Sequence, residues 1–167
     1  MSETPAPAAP LGAGDAAPAL AVDTHRGARW SAAEPGAPTI LVFIPAAFTP
    51  VCGGELEELL VLRERAAEQG VEIVVASCDS TAVLDAWLRE HGASEAITGA
   101  SDFWPHGELA RGFGALDERT GQARRVSFAL GADGTVLANV ASLPGDPRTL
   151  AMHARLLRAI AKAQAAA

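Results

Sequence analysis

Apolar positions along the chain follow two different spacings. Thr39-Ile40-Leu41-Val42-Phe43-Ile44 is continuously apolar and β-branched, the pattern of a strand buried on both faces of a parallel or mixed sheet. Pro45 stops it. From Gly53 to Glu68 the apolar positions recur at three and four, through Leu56, Leu59 and Leu60, with Glu55, Glu57 and Glu58 in the first turns, where acids suit the helix dipole. Gly70 ends this helix as a C′ residue does, and Val71-Glu72-Ile73-Val74-Val75-Ala76 reads as a second central strand. Ser80 caps a second helix that runs through Leu84, Trp87 and Leu88 to His91-Gly92. Strand, helix, strand, helix in this order predicts an α/β fold with a mostly parallel sheet and helices on both faces.

The flanks read as antiparallel additions. Leu20 to Val22 and Gly27 to Trp30 predict a first hairpin, and Val126 to Leu130 with Thr135 to Val140 a second, turning at Ala132-Asp133-Gly134. Arg124, at a strand start, is expected to be solvated. A last helix from Arg148 to about Gln164 carries Leu150, His153, Leu156, Leu157 and Ile160 on one face, so it packs on the sheet and shows no chemistry of its own.

Composition narrows the classes. A chain of 167 residues, 49% hydrophobic and 20% charged, makes one globular domain with a sizeable core. Its net charge of −7 argues against a nucleic-acid or acidic-membrane surface. Residues 1–16 are rich in alanine and proline and lack a basic segment followed by an apolar one; they are expected to be a disordered tail and not a signal peptide, ahead of a domain over residues 17–167. No stretch approaches the roughly 18 apolar residues of a membrane helix, and a cytoplasmic protein is expected. The two cysteines, Cys52 and Cys78, suit a reducing compartment and form no C-x-x-C pair. His25, His91, His106 and His153 do not cluster with them at ligand spacing, so no metal is expected.

Cys52 falls within one turn of a helix N-terminus, where free backbone N–H groups and the positive end of the dipole favour thiolate over thiol. Two readings are open at this point: a nucleophile, or a small buried hydrophobe, as most free cysteines are. Thr49 lies three residues earlier in the same turn, within reach of the sulfur or of an atom bound to it, and Pro45 and Pro50 stiffen the loop. Cys78 ends the second strand on the same sheet edge. It is either a resolving cysteine for an oxidised Cys52 or a buried strand-end residue.

Pro45, Thr49 and Cys52 spell P-x-x-x-T-x-x-C, which resembles the active-site signature of the peroxiredoxins. Ser101-Asp102-Phe103-Trp104-Pro105-His106-Gly107 looks like a segment of the one-cysteine peroxiredoxins of the alkyl hydroperoxide reductase E type, found in actinobacteria, and Arg125-Val126-Ser127-Phe128 matches the place of the family's second-half arginine. The resemblance covers about residues 17 to 165. It implies a thioredoxin-like fold, a central mixed β-sheet flanked by helices, and a thiol-dependent peroxidase with no cofactor. Cys52 is then the peroxidatic cysteine, converted by a hydroperoxide to sulfenic acid. Arg125, Thr49 and the backbone N–H groups near Val51 and Cys52 stabilise the breaking O–O bond, Pro45 keeps water off the sulfur, and Glu55 has a lesser role in orienting Arg125.

An ordinary thiol of pKa about 8.5 is roughly 3% ionised at pH 7, so complete ionisation alone gains only about 30-fold, near 2 kcal/mol. The donors around the peroxide must supply the rest. The resemblance also implies reduction by an external thiol or redoxin (mycothiol with mycoredoxin, or thioredoxin) and a homodimer, with Phe103 and Trp104 bordering the active site and its interface or else filling the core with Phe113. Two rival readings use the same Cys52: a redox sensor or chaperone, and a pathway-specific enzyme acting on a substrate other than peroxide.

Overall fold

The computed structural model describes residue 3 and residues 6–167. The chain forms β1 (Ala21–Thr24), β2 (Arg29–Ser31), β3 (Thr39–Phe43), α1 (Pro50–Glu68), β4 (Glu72–Ser77), α2 (Thr81–Glu90), β5 (Thr98–Ser101), α3 (Glu108–Gly112), β6 (Leu116–Asp117), β7 (Gln122–Ala123), β8 (Val126–Leu130), β9 (Val136–Ala141) and α4 (Leu150–Ala165). Seven strands make one mixed sheet in the order β2-β1-β5-β4-β3-β8-β9. The three central strands β3, β4 and β5 are parallel; β1 pairs antiparallel with β5 and β8 with β3, and β2 and β9 extend the two edges as antiparallel hairpin partners of β1 and β8.

Period-two alternation divides the core. Ile40 and Val42 of β3 and Ile73 and Val75 of β4 face the layer that holds α1, α2 and α4, together with Cys52, Trp87 and Leu157. Leu41, Phe43, Val74 and Ala76 face the other layer, where α3, Phe113, Phe128 and Trp30 pack. All five residues of β3 are buried, which explains its unbroken apolar text.

Four expectations need correcting. α1 begins at Pro50 and not at Gly53, with Thr49 as N-cap and proline at the first helical position, where its missing N–H costs nothing. No acid lies in its first turn, so Glu55 is not there to complement the dipole. Arg124 is half-buried and not solvated: its Nη2 donates to the Ala8 carbonyl at 2.6 Å and to the Gly114 carbonyl. Those bonds belong to an N-terminal segment expected to be loose. Leu11 N–H donates to the Phe113 carbonyl at 3.0 Å, and Ala16 bridges to Thr135, so alanine and proline here lie along the domain surface; residues 1, 2, 4 and 5 of that expected tail lie outside the described residues.

Candidate active site

The loop between β3 and α1 carries the sulfur. Pro45 follows Ile44, whose N–H still bonds across to the Ala76 carbonyl at 2.9 Å, so the proline ends the strand where pairing ends. Ala47 N–H donates to Asp79 Oδ2 at 2.8 Å, and the same oxygen accepts from Ser77 Oγ at 2.7 Å. Asp79, just past β4, thereby ties this loop to the neighbouring strand. Phe48 has φ of 61°, a left-handed conformation that a bulky side chain adopts only under constraint from its surroundings. The chain then turns into α1, and the Thr49 hydroxyl donates to the Ala46 carbonyl at 3.0 Å. Thr49 and Val51 are half-buried in the first turn, and Cys52 is completely buried in it.

Alternation selects which arginine meets the sulfur. Ala129 of β8 packs in the Cys52 layer, so Ser127 and Arg125 share its side, while Arg124 falls on the other. Arg125 Nη2 donates to Cys52 Sγ at 3.3 Å, and Nη1 donates to Glu55 Oε1. Arg125 is only 8% exposed. Glu55, one turn beyond Cys52 on α1, is also held by Arg148: Nε at 2.7 Å and the backbone N–H at 2.8 Å on Oε2, and Nη2 at 3.1 Å on Oε1. Burial alone would push the Glu55 carboxyl up, but the hydrogen bonds and charge of Arg148 and the charge of Arg125 hold it below the ordinary range. One carboxylate thus sits between two guanidinium groups out of water. The set carries one uncancelled positive charge, and a thiolate at Cys52 cancels it.

The sequence reading did not find Arg148, Ser127, His153 or Asp79. Arg148 is fully buried and donates through Nη1 to Ser127 Oγ at 2.8 Å, and Ser127 Oγ lies 2.9 Å from His153 Nε2. The last helix therefore borders the site, contrary to its reading as inert packing. A signal existed: Ser127 is the one hydroxyl in an apolar strand, and His153 interrupts an apolar helix face.

Cys78 is not brought to Cys52. It packs against the opposite core layer, so the sheet stands between the two sulfurs. Burial, then the charges of Asp102 and Asp79, push its thiol up to about 11, which keeps it protonated and poorly nucleophilic at pH 7. Phe113 packs tilted against Phe43 and Phe128 in the core, whereas Phe103 and Trp104 stand out from the surface. Among the described residues no group of three or more His, Cys, Asp or Glu side chains is placed to hold a metal ion, and no helix is long and apolar enough to cross a membrane.

Comparison with known proteins points one way. The AhpC/TSA family matches residues 13–139. The chain is 33% identical over 124 residues to alkyl hydroperoxide reductase C of Staphylococcus aureus, covering 74% of this chain and 66% of the relative. It is 29% identical over 109 residues to alkyl hydroperoxide reductase E of Mycobacterium tuberculosis, covering 65% and 70%. The crystal structure of Enterococcus faecalis AhpC superposes with a TM-score of 0.79 at 28% identity, over 91% of this chain and 92% of that one.

Proposed function

The chain belongs to the AhpC/TSA family, and from that premise we propose that it is a thiol-dependent peroxidase in which Cys52 reduces hydrogen peroxide and organic hydroperoxides. The observation that carries this reading is the single guanidinium that donates to Cys52 Sγ at 3.3 Å while anchored on buried Glu55. The Cys52 thiolate attacks the terminal oxygen of R–O–O–H. An S–O bond forms as the O–O bond breaks, sulfur gives up two electrons and becomes sulfenic acid, and the leaving oxygen takes a proton and departs as water or alcohol. Arg125 is the fixed charge that follows the electrons from sulfur to the leaving oxygen, and being buried it needs no reorganisation to do so. The Thr49 hydroxyl, oriented by Ala46, keeps its lone pairs for the peroxide proton. Backbone N–H groups at Val51 and Cys52 add donors of the first turn, and Pro45 shields the sulfur.

Recycling is assigned to an external thiol or redoxin. That is supported by the sheet between Cys52 and Cys78 and by the protonated state of Cys78. The thiol displaces water from the sulfenic acid to give a mixed disulfide, and a second thiol releases Cys52 and leaves as the disulfide. Mycothiol with mycoredoxin, and thioredoxin, are the two reductants to compare. Two free cysteines suit a reducing cytoplasm. A homodimer is supported by Phe103 at 55% and Trp104 at 82% exposure, large apolar surfaces beside the Ser101-Asp102 segment; sedimentation of Trp104→Glu as a monomer, against a wild-type dimer, checks this.

The decisive experiment is stopped-flow oxidation followed by tryptophan fluorescence, with hydrogen peroxide and a fatty-acid hydroperoxide. A rapid phase in the wild type that Cys52→Ser lacks, with sulfenic acid trapped by dimedone, is the expected result. A wild type no faster than a free thiol would remove the peroxidase reading.

A further inference from the structure

Behind the sulfur, Arg125 and Glu55 lies a buried histidine with no task in the reaction as described. His153 is 1% exposed, and its Nε2 lies 2.9 Å from Ser127 Oγ, which also accepts from Arg148 Nη1 at 2.8 Å. A hydroxyl has one proton and two lone pairs, and a guanidinium only donates. Arg148 therefore occupies a lone pair of Ser127, and the Ser127 proton is left facing His153 Nε2. With the ring in its Nδ1–H form, Nε2 accepts that proton, and Nδ1–H is left near the Thr149 backbone without a full hydrogen bond. The opposite tautomer would leave both the Ser127 proton and the Nδ1 lone pair unmet, so burial selects the first. Burial, then the charge of Arg148, pushes the imidazole down to about 4, against a smaller upward pull from Glu55 and the Thr149 carbonyl. The ring is neutral at pH 7.

We propose that His153 is a positioning residue for the peroxidase reaction: by taking the Ser127 proton it keeps Ser127 an acceptor for Arg148, which fixes Glu55 and, through Glu55, holds Arg125 at the Cys52 sulfur. The inference rests on the peroxidase reading of this site. The chain of contacts transmits geometry and not protons, because a guanidinium only donates and so interrupts any proton path from the ring to the sulfur. The P-x-x-x-T-x-x-C signature alone gives no hint of it; the residues come from β8, α4 and the loop just ahead of α4 and meet only in the fold.

His153→Leu keeps similar bulk and removes the acceptor, and His153→Gln restores an acceptor near the Nε2 position. In stopped-flow reaction with hydrogen peroxide, His153→Leu is expected to lose about five- to tenfold in the second-order rate constant and His153→Gln to stay within about twofold of wild type. A packing role predicts the reverse order, since leucine suits an apolar pocket better than glutamine. In a Ser127→Ala background the loss from His153→Leu should vanish, because the path runs through that hydroxyl.

Alkylation of Cys52 by iodoacetamide, run in parallel, needs no peroxide. If the wild type is slow with every peroxide but His153→Leu still alters alkylation and His153→Gln restores it, the peroxidase reading fails and the positioning role stands. A His153→Leu protein that matches wild type in both reactions, or a loss that glutamine does not restore, overturns the proposal. Should leucine prevent folding, Ser127→Ala decides: a slowed reaction beside an intact His153→Gln supports the role, and a wild-type rate refutes it.

Discussion

Replacing Glu55 by glutamine tests the charge arrangement directly, because size and shape are kept and only the negative charge goes. Glu55 accepts from Arg125 Nη1, from Arg148 Nε at 2.7 Å and Nη2 at 3.1 Å, and from the Arg148 backbone N–H at 2.8 Å. An amide offers one acceptor oxygen, and its NH2 would face a guanidinium donor. Two buried cations would lose the carboxylate they share, and breaking a buried pair in this way costs about 3–5 kcal/mol. At roughly 2–4 °C per kcal/mol for a domain of this size, Tm should fall by roughly 6–20 °C.

Arg148→Met, by contrast, leaves the Glu55–Arg125 pair balanced and should cost clearly less than Glu55→Gln. Peroxide reduction by Glu55→Gln should fall by about 10- to 100-fold, since Arg125 loses its anchor. Thermal melts by circular dichroism and stopped-flow rates measure both effects. A Glu55→Gln protein melting within about 3 °C of wild type with an unchanged rate, or one more stable than Arg148→Met, would refute the reasoning.

Acid should weaken the fold in two separate windows. His153 titrates near 6.5 when unfolded and at about 4 in the fold, so the unfolded chain binds the extra proton between those values. Stability fully present above pH 6.5 is then lost as pH falls toward 4, by up to about 3 kcal/mol; urea midpoints from pH 7 to 4.5 should show this slope in wild type and not in His153→Gln. The Glu55 carboxyl is held low, so its contribution is present above the ordinary carboxylate range and goes only at still lower pH. Cys78→Ser should retain the peroxide rate and accumulate sulfenic acid as wild type does, and loss of turnover with an external thiol in this variant would restore a resolving role. Asp79→Ala removes the acceptor for Ala47 N–H and frees the strained loop at Phe48; a peroxide rate at least about tenfold lower with a modest drop in Tm is expected.

Residues whose role follows from local pattern were legible in the sequence. The unbroken apolar run of β3, the cap at Ser80 and the hairpin at Asp133-Gly134 each obey a short-range rule, and the structure has them. Arg125 and Glu55 were legible only through family likeness, and the structure joins them to each other and to Cys52. Arg148 was not legible, because a charged residue ahead of a surface helix is ordinarily solvated. Its burial depends on Glu55, 93 positions earlier in the chain, a pairing that no periodicity encodes. Arg124 failed for the same reason: its acceptors, Ala8 and Gly114, come from segments with no regular pattern.

The Cys52 sulfur is sealed, yet a thiol has to reach it once per turnover. Directly behind it α1 carries Gly53 and Gly54, and each interior glycine makes a helix about 1 kcal/mol easier to unwind than alanine does. A Cβ at Gly53 would meet His91 Cε1 at 3.3 Å, but at Gly54 it would meet nothing within 4 Å, so packing does not demand the second glycine. The turn that arms the sulfur thus leads straight into two poor helix formers. An approach by the reducing thiol that requires this turn to uncoil would therefore meet little resistance from the helix itself.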